Sequence, residues 1–175
     1  MKVLIVVDMQ NDFIDGSLGT KEAVGIVDRV AEVMDSFDGA VICTRDTHFA
    51  DYLETSEGRK LPVEHRIEGP KGHALQDTIQ KMAEKKQAVV MNKITFGAKN
   101  LPEEIEKLAG GVLEFIELVG LCTDICVISN AMLLKAFYPE VPISVDASAC
   151  AGVTPQSHKN ALEAMKMCQI DIVNE

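Results

Sequence analysis

Hydrophobic and polar positions divide this chain into two kinds of segment that alternate. Short apolar runs rich in Val and Ile are typical of parallel strands buried on both faces. These runs predict strands at 2–7, 40–44, 88–91, 116–119, 141–146 and 170–173. Apolar residues three and four positions apart predict helices, at 23–34, 73–85, from Leu101 onward and at 155–167. The alternation predicts an α/β fold, a Rossmann-like three-layer αβα sandwich with a mostly parallel sheet of about six strands and right-handed crossovers.

Composition narrows the class of protein. The chain has 175 residues, enough for one domain with a substantial core, so residues 1–175 are predicted to form a single domain. A net charge of −10 argues against a nucleic-acid partner. No apolar run is long enough to span a bilayer, and Asp8 interrupts the first run, which is therefore interpreted as a strand and not a signal peptide. Five cysteines without regular spacing favour a reducing cytoplasm.

Chemically capable side chains follow four of the predicted strands. Asp8 follows the first strand, Asp46 and His48 the second, Lys93 the third and Cys126 the fourth. Because the carboxyl ends of parallel strands meet at one edge, where ligands bind, these side chains are expected to lie together. Taken singly, each has a structural explanation as a cap, turn, solvated or core residue. Together they suit nucleophilic catalysis, with Asp8 accepting the thiol proton and Lys93 stabilising the charges.

The stretch around Cys126 is the centre of this prediction. The apolar strand at 116–119 leads to Gly120, which allows a sharp turn. A helix then follows, and Thr123 or Asp124 is expected to cap it. The Cys126 sulfur would lie near unpaired backbone N–H groups and the positive end of the helix dipole, a place that favours thiolate.

A second group of residues indicates a metal site. Asp46 and His48 are two positions apart, so an extended backbone points both side chains the same way. The long loop that follows can bring His65 back to them. This donor set suits Zn²⁺, and also Mn²⁺ or Fe²⁺, although solvated loop histidines explain the spacing equally well. His73 and His158 lie near predicted helix starts, where a cap-adjacent or solvated role is expected.

The sequence resembles the isochorismatase-like cysteine hydrolases, and within them the nicotinamidases. The resemblance spans nearly the whole chain. It rests on the Val-Asp-Met-Gln-Asn-Asp-Phe segment at 7–13, on Lys93, on Gly-Leu-Cys-Thr-Asp-Ile-Cys-Val at 120–127, on Asp146 and on Gly-Val-Thr-Pro-Gln-Ser-His at 152–158. The cysteine motif is the most specific of these.

The resemblance implies roles for individual residues. Asp8, Lys93 and Cys126 would form a catalytic triad. A non-proline cis peptide bond is implied between Leu121 and Cys122. It would aim the backbone N–H groups of Cys122 and Cys126 at the developing oxyanion, forming the oxyanion hole.

The resemblance also bears on the metal. Nicotinamidases carry an Asp-x-His pattern and a later His, which here correspond to Asp46, His48 and His65. The metal and its waters would hold the pyridine nitrogen of the substrate. Glu57, or less favourably Glu64, would complete the shell.

The chain departs from the family pattern around the expected ring pocket. Leu61 stands where an aromatic residue often precedes the proline of the metal loop, and Phe96 is the only aromatic in the short segment after Lys93. Phe13 and Phe96 are the candidates to sandwich a planar substrate ring, and ordinary core packing is an equally good interpretation of each.

The resulting hypothesis is a metal-assisted cysteine amidohydrolase. It would convert nicotinamide, or a close pyridine carboxamide, to the acid and ammonia through a thioester. One alternative is a related cysteine hydrolase acting on an N-carbamoyl compound or another small amide. Another is a non-catalytic binding protein of the same fold. The predicted partner is a small-molecule amide, without nucleic acid or membrane, and the apolar segment at 131–137 suits either a core or a homo-oligomer interface.

Overall fold

A single parallel sheet organises the chain. The structure, a computed structural model, describes residues 1–63, 71–108 and 110–175. Within these residues six strands pair in the order β3-β2-β1-β4-β5-β6, and each pairing is parallel. The strands are β1 Lys2–Val7, β2 Ala40–Asp46, β3 Val89–Lys93, β4 Phe115–Leu121, β5 Ile143–Ala151 and β6 Asp171–Val173. The predicted fold class is therefore confirmed.

Helices cover both faces of the sheet. They are α1 Asn11–Ile14, α2 Lys21–Gly25, α3 Val27–Ser36, α4 Ser56–Lys60, α5 Asp77–Lys85, α6 Leu101–Leu108, α7 Ile128–Phe137 and α8 Pro155–Met167. Short 3₁₀ turns occupy Tyr52–Glu54 and Lys71–His73, and a π-helical turn occupies Thr123–Val127. One apolar core joins α1, α2, α3 and α5 to the sheet, and the other joins α6, α7 and α8. None of the helices in these three described ranges is long and apolar enough to cross a membrane.

Several strands run further than their apolar runs predict. β2 extends to Asp46, and β3 extends to Lys93, its partner in the ladder. β4 extends to Leu121 and β5 to Ala151. The pattern of apolar residues stops early because β2 and β3 end in charged residues that still belong to the sheet.

Two helix predictions are corrected by local capping. The helix expected at 23–34 is divided into α2 and α3, and Thr20 caps α2 by accepting a hydrogen bond from the backbone N–H of Ala23. The helix expected at 73–85 begins only at Asp77. There the side chain of Gln76 accepts from the N–H groups that open α5.

The strand order places a crevice beside β1. The chain continues to β2 on one side of β1 and to β4 on the other, and such a reversal opens a crevice at the carboxyl ends of the strands. Val7 pairs with Thr44 of β2 and with Gly120 of β4. The segments that follow these three residues therefore converge at one place.

Candidate active site

Gly120 sets the path of the chain as β4 approaches its end. Its φ is +114°, and an added Cβ would collide with the carbonyl oxygen of Val7 on β1. A residue with a side chain would have to break the β1–β4 pairing to adopt this path. The peptide bond between Leu121 and Cys122 is cis, as the family resemblance implies.

Cys126 lies in the π-helical turn Thr123–Val127 and is 2% exposed. The N–H of Val127 donates to the carbonyl of Cys122 over 3.0 Å, which is the wider hydrogen bond of a π turn. The amide of the fully buried Asn130 donates to the carbonyl of Cys126 over 2.8 Å, and its oxygen accepts from the Ala98 N–H, also at 2.8 Å. Asn130 thus ties the backbone carbonyl of Cys126 to the backbone N–H of Ala98 and fixes the turn that carries the thiol.

The expected cap of this helix is wrong. Cys122 occupies the cap position, and its side chain makes no capping hydrogen bond. The hydroxyl of Thr123 instead lies 2.8 Å from Nδ1 of His158, and the carboxylate of Asp124 accepts from the N–H of Val153 over 3.1 Å. Both side chains reach across to the segment that opens α8, so they hold the turn by tertiary contacts. His158 is half-buried and paired, and is not simply solvated.

The structure brings Asp8, Lys93 and Cys126 together. The ammonium Nζ of Lys93 lies 2.7 Å from Oδ2 of Asp8 and 3.4 Å from Sγ of Cys126. It also lies 2.8 Å from Oδ1 of Asp46, a contact that sequence analysis did not foresee. All four side chains are buried. Cys126 supplies a candidate nucleophile, Asp8 a candidate proton acceptor and Lys93 a cation. Their catalytic roles remain a prediction.

Thr44 holds Asp8 in place. Its hydroxyl donates to Oδ1 of Asp8 over 2.6 Å, and the Asp8 N–H donates to the Thr44 carbonyl over 3.2 Å. Asp8 has a φ of 49°, a conformation that Asp tolerates better than most residues. Sequence analysis missed Thr44, although a hydroxyl at the end of a buried apolar run needs a partner and was the available signal.

Burial dominates the titration of this cluster. It raises the pKa of Asp8, with Lys93 opposing and Asp46 adding to the rise. It raises the pKa of the Cys126 thiol well above its ordinary range, and Asp8 adds to that rise while Lys93 opposes it. For Lys93, burial alone would lower the pKa, but Asp8, Cys126 and Asp46 together raise it. Burial and Asp8 thus work against the thiolate that the sequence predicts at this place, and Lys93 favours it.

A possible metal site adjoins this cluster. Nε2 of His48 lies 3.3 Å from Oδ2 of Asp46 and 3.5 Å from Oε1 of Glu57, and the potential ligand atoms all lie within 4.8 Å of one another. Tetrahedral ligands bound to one zinc ion at about 2.0–2.2 Å lie roughly 3.3–3.5 Å apart. The donor set therefore fits a divalent metal. The predicted ligand His65, and the candidate Glu64, lie outside the described residues.

Local packing brings Glu57 to this site. The ring of His48 packs against that of the buried Tyr52, with centroids 4.4 Å apart. Thr55 caps α4 by accepting from the N–H of Gly58 over 3.0 Å. A Cβ at Gly58 would collide with the backbone of Tyr52. The glycine thus lets the first turn of α4, which carries Glu57, lie close to His48.

Gln10 is a further residue that sequence analysis missed. It is fully buried, and its amide donates to the carbonyls of Asp46 and His73 over 2.9 and 2.8 Å. Its oxygen accepts from the Asp46 N–H over 2.7 Å. His73 is itself buried and lies 2.8 Å from the Thr47 hydroxyl, so its expected solvated role is wrong. Gln10 fixes the backbone of a candidate metal ligand.

A cavity of about 710 Å³ opens beside these groups, and its lining includes Cys126, His48 and Glu57. Both predicted ring-binding residues also line it. Phe13 is mostly buried within the adjoining core, whereas Phe96 is partly exposed. Their contact with a substrate ring remains a prediction.

Asp146 lies apart from this site, although the resemblance includes it. Its carboxylate accepts hydrogen bonds from Arg29, Asn174 and Ser148. It is 1% exposed and therefore serves as a buried link between β5 and two other segments.

Comparison with known proteins assigns the family. An isochorismatase domain model matches residues 2–174. The chain belongs to the isochorismatase family. An uncharacterised isochorismatase family protein, PncA of Bacillus subtilis, is 29% identical over an alignment of 172 residues that covers 92% of this chain and 92% of that one.

Two solved structures that are similar to this chain indicate the class of enzyme. The pyrazinamidase/nicotinamidase of Streptococcus mutans is 27% identical with a TM-score of 0.81, covering 99% of this chain and 100% of that one. The N-carbamoylsarcosine amidase of Thermoplasma acidophilum is also 27% identical, with a TM-score of 0.79 and coverage of 98% and 94%. The isochorismatase family match and these neighbours indicate an amide-hydrolysing enzyme, in agreement with the sequence.

Proposed function

We propose that this protein hydrolyses nicotinamide, or a close pyridine carboxamide, to the acid and ammonia through a thioester on Cys126. The observation that carries the proposal is the buried Lys93 ammonium, which contacts both Asp8 and the Cys126 sulfur beside a donor set that fits a metal. Similarity to a pyrazinamidase/nicotinamidase supports the substrate class. The strands from β1 to β6 share one sheet, which supports a single domain over residues 1–175.

Acylation begins with proton transfer. Burial raises the pKa of the Cys126 thiol, so Asp8 accepts the thiol proton as Sγ of Cys126 attacks the carboxamide carbon. The Lys93 ammonium stabilises the negative charge carried first by Asp8 and then by the attacking sulfur. The backbone N–H groups of Cys122 and Cys126 would receive the developing oxyanion, and each such donor contributes about 3 kcal/mol to lowering the barrier.

Release of ammonia ends acylation, and deacylation then completes the cycle. Asp8 gives its proton to the departing nitrogen, and ammonia leaves as the thioester forms. A water molecule then attacks the thioester carbon while Asp8 accepts its proton. The carbon–sulfur bond breaks, the acid is released, and the sulfur regains the proton from Asp8.

Four residues would hold the metal: Asp46, His48 and Glu57, together with His65 as the sequence predicts. Carboxylate and imidazole donors suit Zn²⁺, and also Mn²⁺ or Fe²⁺. When bound, the metal supplies a Lewis-acidic position for the pyridine nitrogen of the substrate. Phe13 and Phe96 would pack against the ring and orient its carboxamide toward the thiol.

Ammonia release from nicotinamide tests the proposal. We expect Cys126→Ala to lower kcat to the level of a no-enzyme blank, because the nucleophile is lost. Cys168→Ala is the matched control, since that cysteine is exposed and should leave the rate unchanged. Equal rates for wild type and Cys126→Ala, both above the blank, would show that the hydrolysis does not use this thiol.

A second candidate keeps the thiol chemistry and changes the substrate to an N-carbamoyl compound. The similarity to an N-carbamoylsarcosine amidase favours it, as does Leu61 in place of an aromatic residue beside the cavity. Cys126-dependent hydrolysis of an N-carbamoyl amino acid by metal-free protein, with none of nicotinamide, would select this candidate.

A further inference from the structure

The cavity beside Cys126 is larger than a single-ring substrate requires. At about 30 Å³ per non-hydrogen atom, the liquid-water value, a pyridine ring with its carboxamide needs roughly 270 Å³. The cavity holds about 710 Å³, well inside the range of roughly 300–1,000 Å³ that accommodates drug-sized ligands. A nicotinamide bound at the thiol would therefore leave more than half of this space to water.

The unused part of the cavity has an apolar rim. Cys126 is 2% exposed, whereas three apolar side chains of the lining, apart from the Phe96 proposed to pack against the ring, reach solvent: Leu61 at 39%, Val153 at 50% and Ile94 at 63%. They come from three separate segments of the chain, so their convergence is not a property of one loop. Exposed apolar groups gathered around a cavity are typical of a surface that a ligand covers.

We propose that the preferred substrate is a carboxamide whose ring bears an apolar extension of several carbon atoms, an alkyl or aryl group that covers this rim. The inference rests on the proposed function, because the bond that breaks is the same amide bond and only the acyl group is larger. The buried thiol and its neighbours act on the carboxamide at the inner end of the cavity. The extension fills the outer part and removes the three rim side chains from water.

The test is a substrate series. Nicotinamide is compared with derivatives that carry methyl, propyl or pentyl groups at each free ring carbon, and kcat/KM is measured by ammonia release. We expect kcat/KM to rise at the favoured position by up to about fourfold for each added methylene, the value for full burial of a CH₂ group. A flat or falling series, with nicotinamide itself hydrolysed, would overturn this inference and leave the proposed function standing. Absence of Cys126-dependent hydrolysis throughout the series would sink both.

Rim variants make the test specific to this surface. Ile94→Ala and Val153→Ala shorten two exposed side chains, so we expect the ratio of kcat/KM for the pentyl derivative to that for nicotinamide to fall at least threefold. Val112→Ala is the matched control, because Val112 is also exposed but does not line the cavity, and it should preserve the ratio. An unchanged ratio in both rim variants would overturn the inference.

Discussion

The Lys93 side chain contacts two buried carboxylates and the thiol of the candidate site. Its ammonium is paired with Asp8 and Asp46 at 2.7 and 2.8 Å, away from solvent. Burying a charge is costly unless it is paired, and here one cation satisfies two carboxylates. For Asp8, the pairing opposes the rise in pKa that burial causes.

The Thr44 hydroxyl affects the pKa of Asp8, the proposed proton acceptor. We predict that Thr44→Val lowers kcat/KM. Burial raises the pKa of Asp8, and the hydrogen bond that the Thr44 hydroxyl donates opposes that rise, so removing the hydroxyl should raise the pKa further. Less of Asp8 is then ionised at low pH, and the acid limb of kcat/KM should move to higher pH. Hydrogen bonds to charged groups contribute about 1.5–3 kcal/mol, so we expect kcat/KM near neutral pH to fall roughly tenfold. The measurement is the pH profile of nicotinamide hydrolysis.

Thr44→Ser is the control for this variant, because it keeps the hydroxyl and should restore the profile. A Thr44→Val profile that coincides with wild type would mean that the 2.6 Å contact does not tune Asp8.

At the scale of single residues, strand ends were the predictable part of the site. Asp8, Lys93 and Cys126 each follow or end a buried apolar run, so topology alone brings them together. Thr44 and Gln10 escaped notice because they act through bonds to partners that are remote in sequence. The rise in the pKa of the Cys126 thiol was also missed, since burial cannot be seen in a local pattern.

At the scale of elements, the π-helical turn depends on the segment that opens α8. Thr123 and Asp124 bond to His158 and Val153, which flank the capped start of α8. The sequence suggested a locally capped helix because Thr and Asp are common cap residues. The tertiary partners of the two side chains decide otherwise.

His158 should make this contact sensitive to acid. Burial lowers its pKa below the ordinary value of 6.5, with Asp124 opposing. The unfolded chain then binds the proton more readily, so the stability that this group contributes is complete above about pH 6.5 and is lost as pH falls below it. We predict that His158→Asn, which keeps a polar group near Thr123, loses less Tm than wild type between about pH 7.5 and pH 5. Thermal unfolding followed by circular dichroism measures this difference, and an equal loss in both proteins would refute it.

At the scale of the whole molecule, the candidate metal site joins the end of β2 to α4. A ligand that binds only the folded protein stabilises it by about 2.7 kcal/mol at a hundredfold excess over Kd. For a chain of this size that corresponds to a rise in Tm of roughly 5–11 °C. We therefore predict that chelation lowers the Tm of zinc-loaded wild type by about this amount, as measured by calorimetry together with elemental analysis.

His48→Ala provides the control for that prediction. It removes a proposed ligand, so chelation should change its Tm little and the purified variant should contain little metal. A wild-type protein whose Tm and metal content do not respond to zinc or to chelation would contradict the site.

The order of the six strands follows from the alternation of apolar runs and helices only in part. That alternation predicts a parallel sheet, but it does not say on which side of β1 each later strand lies. The long loop after β2, which the sequence predicts to carry His65, contains α4 and Glu57. The approach of Glu57 to His48 depends on Gly58 and Tyr52, and no periodic pattern in the sequence predicts either contact.

Asp46 presents one oxygen to Lys93 and the other to His48, and this shared carboxylate makes the two halves of the site thermodynamically reciprocal. A cation bound at Oδ2 withdraws electron density from the carboxylate that faces Lys93, and so changes the field that the ammonium exerts on the thiol. By linkage, deprotonation of the thiol must change the affinity for the cation by the same factor. The affinity for the metal and the pKa of the thiol would then be two measurements of a single coupling free energy, carried by one side chain.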